Sequence, residues 1–98
     1  MNKITAIKNL KEKKHSIEKL FKTADEKFAK LRRGTAWTND EIEDEKNLSK
    51  TWRAMDREFI TMLDELQASK GNSWAPIYED IEKLMDRWES QLKNYWKY

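Results

Sequence analysis

The sequence predicts an all-α fold, an elongated antiparallel three-helix bundle with helices over about 3–33, 38–70 and 74–97, forming one domain over residues 1–98. Three observations carry that reading. Charged residues make up 39% of the chain and hydrophobic ones 38%, the balance of amphipathic helices. Two glycines and one proline are too few turn residues for a β-rich domain of 98 residues. Apolar residues recur at alternating three- and four-residue steps through most of the chain.

In the first helix that spacing runs through Ile7, Leu10, Lys14, Ile17, Phe21, Ala24, Phe28 and Leu31, a coiled-coil-like seam in which Lys14 alone is polar. Ile4 and Leu20 are expected to widen it. Arg32 and Arg33 complement the negative helix end, and Gly34 is expected in the left-handed C-terminal position.

Thr38-Asn39-Asp40-Glu41 is a capping-box signature, and Trp37 and Ile42 are placed for a hydrophobic staple across it. Leu48, Trp52, Met55, Phe59, Met62 and Leu66 continue the seam, with Ile60 and Leu63 to one side as a second apolar stripe. Gly71 is expected to end the helix. The third helix opens at Asn72-Ser73, and Pro76 is tolerated in its first turn, where the missing N–H has no helical partner. Its seam is Trp74, Ile77, Ile81, Leu84, Trp88 and Tyr95, broadened by Tyr78, Met85 and Leu92. Loops of about four residues force successive helices to fold back antiparallel.

The inventory excludes much chemistry. Without cysteine there are no disulfides, thiolate metal sites or cysteine nucleophiles. Glu12 and His15 have the Glu-x-x-His spacing of a helical metal site, but the step is single, faces outward and sits among lysines. His15 is the sole histidine, no serine has a nucleophile-elbow context, and no glycine-rich loop could hold phosphates. The expectation is a protein that is not an enzyme and needs no cofactor or metal. No apolar run reaches membrane-spanning length or forms a secretory core, so a cytoplasmic location, in the producing cell or a host, is expected, with no membrane contact.

Charge is uneven. Residues 1–33 carry eleven Lys/Arg against four acids, residues 34–70 five against nine, and residues 71–98 four against five. Lys8, Lys11, His15, Lys19 and Lys22 draw a basic stripe opposite the seam, suited to phosphates or an acidic protein surface. The expected competing fate of this charge is pairing within the bundle, with Asp56, Glu58, Asp64 and Glu65 on helix two and Glu79, Asp80, Glu82 and Asp86 on helix three. The terminal aromatics Trp96 and Tyr98, flanking Lys97, are candidate partner-binding residues.

In length and hairpin character the chain resembles the small secreted hairpins built on a Trp-x-Gly turn. Gly34-Thr35-Ala36-Trp37 and Gly71-Asn72-Ser73-Trp74 reverse and widen that order, so the family is rejected. In general style, lysine-rich, helical and cysteine-free, it resembles accessory proteins of phages and plasmids, many of which bind and block a host protein. The resulting expectation is a protein-interaction module, an inhibitor or adaptor for a larger protein. The alternatives are phosphate-backbone binding to nucleic acid through the basic stripe, or self-assembly, including a homodimer.

Overall fold

The computed structural model describes residues 1–34 and 38–94. Three helices follow one another: α1 (Lys3–Arg33), α2 (Asn39–Ala68) and α3 (Trp74–Lys93). They form an all-α three-helix bundle of 57 × 18 × 15 Å. Its Cα radius of gyration is 16.2 Å, against about 13 Å for a compact domain of this length.

Each helix begins and ends for a local reason. At α1, the Asn2 side chain accepts from the Thr5 N–H at 2.8 Å. The capping box of α2 forms as its signature requires: the Glu41 N–H donates to Thr38 Oγ1 and the Thr38 N–H to Glu41 Oε2, both at 3.2 Å. Trp37, the other half of the expected staple, lies outside the described residues. Ser73 precedes α3 without a side-chain cap bond.

Two glycine expectations need correction. Gly34 is extended, with φ −83° and ψ 168°, because its N–H reaches Leu31 O at 3.0 Å without a left-handed turn. Gly71 does not end α2, which stops at Ala68. Instead Gly71 takes φ 60° in the turn to α3, the one positive φ among the described residues. The third helix is described over Trp74–Lys93, and Asn94 keeps helical angles, φ −62° and ψ −22°; the rest of the expected span to 97, with Tyr95, lies outside the described residues.

The core follows the seams. Leu10, Ile17, Ala24 and Phe28 of α1 meet Leu48, Met55, Phe59 and Leu66 of α2 and Ile81, Leu84, Met85, Trp88 and Leu92 of α3. Burying each large aliphatic or aromatic side chain is worth about 1.5–3 kcal/mol before chain ordering is subtracted. Ile4 is a correction: it is 79% exposed, and Ala6 takes the buried position at the head of α1. At about 100° per residue, Ile4 points roughly 120–140° away from Leu10 and Ile17, outside the arc that faces the core. Ile60 is half exposed, whereas Leu63 packs against the core. Trp88 is fully buried, and Trp52 and Trp74 are half-buried against the same core.

Polar contacts fix the helix directions. Lys3 Nζ donates to Gln67 O at 2.6 Å and Ser69 O at 2.7 Å, placing the start of α1 at the end of α2. Arg32 reaches Glu45 at 2.7 Å at the opposite end, so α1 and α2 are antiparallel. Lys13 contacts Asp86 at 2.8 Å, which sets α3 alongside the N-terminal half of α1.

Candidate functional site

The polar seam residue Lys14 occupies a built environment. Its Nζ lies 2.9 Å from Asp56 Oδ1 and 3.3 Å from Glu18 Oε1. It also stands 5.1 Å from the ring centroid of Phe59 and 5.9–6.0 Å from those of Trp88 and Trp52. The rings belong to a chain of contacts, Phe21–Trp52 at 4.4 Å, Trp52–Trp88 at 4.7 Å and Phe59–Trp88 at 6.4 Å. Aromatic faces and carboxylates both attract the ammonium. Burial lowers the Lys14 pKa, but Asp56 and Glu18 outweigh it and hold the group above its ordinary 10.5. Asp56 Oδ1 is shielded from solvent, and Lys14 Nζ at 2.9 Å is the cation that offsets its charge. The buried Trp88 indole N–H has no acceptor among the described residues. Lys14 therefore serves the inside of the bundle.

The outward stripe of α1 is separate. Lys8, Lys11, His15, Lys19 and Lys22 are all exposed, and at about 100° per residue they fall within an arc of roughly 80° facing away from the core. His15 Nδ1 lies 3.7 Å from Glu18 Oε2, a long contact on a side chain 69% exposed. Lys8, Lys11, Lys19 and Lys22 make no ion pair with the described residues. The expected internal pairing goes instead to Lys13 with Asp86 and Lys14 with Asp56, on the flanks of the seam. Glu58 faces Arg87 of α3 at 4.0 Å, and Asp64, Glu65, Glu79, Asp80 and Glu82 take no cation from α1 among the described residues. Ile4 and Ile7 share a shallow depression with Lys8, Lys11, Glu12 and His15 at the head of the stripe.

A second cationic row lies on α2 and was hidden by counting charge helix by helix. Lys46, Lys50, Arg53 and Arg57 follow four-, three- and four-residue steps, are all exposed, and make no ion pair with the described residues. Residues 38–45 contain five acids, while residues 46–57 contain four cations against Asp56, which Lys14 already faces. The spacing itself would have revealed the row.

Between the two rows lie Lys14 and its two carboxylates, Glu18 and Asp56. Phe21, Ser49, Trp52 and Arg53 line one shallow depression, and Arg53, Asp56, Arg57, Ile60 and Thr61 another beside it. The candidate tail residues Trp96, Lys97 and Tyr98 lie outside the described residues. Among the described residues, no group of three or more His, Cys, Asp or Glu side chains gathers to hold a metal ion, and no helix is long and apolar enough to cross a membrane.

No protein-family model matches the chain, and comparison with curated proteins and with solved structures returned no match.

Proposed function

We propose that this chain is a non-enzymatic binding module whose α1 outer face engages a polyanionic surface of a partner macromolecule. One observation carries the reading: the four stripe lysines lack ion pairs with the described residues, although the chain has acids enough to pair them. Cations left in solvent cost the fold little and concentrate positive potential along one face. The test compares the protein with the Lys8→Gln/Lys11→Gln/Lys19→Gln/Lys22→Gln variant on immobilised heparin. The wild-type chain is expected to be retained at low salt and the variant to elute markedly earlier. Equal elution of the two would refute the reading.

A second reading, a protein partner with an acidic surface, is favoured by Ile4, 79% exposed beside the lysines, since a phosphate backbone has no use for an apolar contact there. The inhibitor or adaptor role belongs to this form, as do Trp96, Lys97 and Tyr98. A phosphate-backbone partner belongs to the first.

A further inference from the structure

We infer that α1 and α2 together form a two-row cradle for the phosphate backbone of a nucleic acid. This rests on the polyanion reading above and adds the partner's chemical class and a second helix. The α1 row from Lys8 to Lys22 spans about 21 Å and the α2 row from Lys46 to Arg57 about 17 Å, at 1.5 Å per residue. Phe21 of α1 meets Trp52 of α2 in the valley between the two helices, and Arg53 borders it, so the rows flank that valley. Register is set by the contacts beneath: Phe21 stacks on Trp52 and Lys14 meets Asp56, which places Lys19 and Lys22 level with Lys50 and Arg53.

Regularity distinguishes a nucleic acid from an acidic protein patch. Within each row successive cations are three or four residues apart, except that His15 fills the step between Lys11 and Lys19. In that register the rows are staggered, with Lys8 beyond Arg57, so a partner matching both must present negative charge evenly over roughly 25 Å. Duplex DNA does so, with one charge per about 1.7 Å of axis.

The valley floor suits such a partner. Glu18 and Asp56 on that floor both face Lys14, which offsets part of their charge, and Asp25, one turn beyond Phe21, adds a further acid on the same side of α1. Phe21, Ser49 and Trp52 complete the floor without charge. Glu12 stands on the margin of the α1 row, Glu26 in line with it one turn beyond Lys22, and Asp64 beyond the end of the α2 row. No cluster of Asn, Gln or Arg converges for base reading, so binding is tolerant of sequence.

The experiment measures fluorescence anisotropy of a labelled duplex of about 20 base pairs, and of a single strand of equal length, across salt. It uses the wild-type chain, the α1 variant above, and an α2 variant, Lys46→Gln/Lys50→Gln/Arg53→Gln/Arg57→Gln. Far-UV circular dichroism verifies that both variants stay helical. For the duplex, eight contacts give a slope of log K against log salt of about −7, and removing either row brings it to about −4. If the single strand binds instead with the same two-row dependence, the cradle stands and its form is identified. If the α1 variant loses binding and the α2 variant matches wild type, the cradle is overturned while the polyanion reading survives. The same split follows if heparin retains the protein but neither oligonucleotide binds. If no polyanion is retained, both fall.

Discussion

Replacing Lys14 by methionine tests whether the polar seam position is an internal ion-pair site. Methionine keeps the length and apolar stem and removes the ammonium. Asp56 then has an oxygen shielded from solvent and no cation beside it. Removing one partner of a fully buried pair costs about 3–5 kcal/mol. Here the side chains are 18% and 32% exposed, so Asp56 can partly rehydrate, and about 2 kcal/mol is expected. Asp56→Leu should cost less, about 1 kcal/mol, because Lys14 keeps Glu18 at 3.3 Å and the three aromatic faces. The double variant should return to within about 1 kcal/mol of wild type, since exchanging both partners for apolar groups is close to neutral. Urea unfolding followed at 222 nm reads all four corners of the cycle. For a chain of this size the single Lys14→Met change should lower Tm by roughly 8–16 °C. A Lys14→Met protein as stable as wild type, or more so, would show that the ion pair holds nothing, and would refute the account.

The same site makes stability depend on alkaline pH. The Lys14 pKa is raised in the folded state, so its contribution is complete below the ordinary lysine value of 10.5 and is lost as pH rises through the folded value; the urea midpoint should fall more steeply there in wild type than in Lys14→Met. Gly71→Ala should cost about 1 kcal/mol because φ 60° strains any side chain even with nothing within 4 Å of its Cβ, whereas Gly34→Ala, in extended backbone, should change little beyond adjusting a 3.3 Å contact with Leu31 O; thermal melts of the pair separate the two.

What could be read from the chain divides along physical lines. The seams and the capping box were legible, since periodicity and hydrogen-bonding side chains act over a few residues. Leu10, Ile17, Phe28, Leu48, Ile81 and Trp88 are buried where their spacing put them. Ile4 was misplaced because an apolar residue one step before a seam looks like its extension until the helix axis is fixed. Gly34 was misplaced because glycine permits the left-handed cap without demanding it. Which lysines would pair was not legible at all. Lys13 and Lys14 differ from Lys11 by two or three residues, yet about 100° per residue turns them onto the flanks facing α3 and α2. Lys3 escaped notice because its partners are backbone carbonyls, Gln67 and Ser69, which carry no sequence signal.

The α2 row shows why the scale of charge counting matters. Summed over the chain the charge is +2, and summed by helix α2 looks acidic. A partner meets neither sum. It meets a face, and on α2 the acids crowd the first turns while the cations occupy the outer middle. The acidic start has a reason within the fold, because carboxylates there offset the positive helix terminus. The cationic middle has none: like charges at three- and four-residue steps repel, each pair costing a few tenths of a kcal/mol. The stripe on α1 carries the same self-repulsion. Two adjacent helices thus bear rows of charge that oppose the bundle slightly, while the internal pairs at Lys13, Lys14 and Arg32 need neither row. A polyanion in the valley would remove that repulsion, so binding and stability are coupled through these residues.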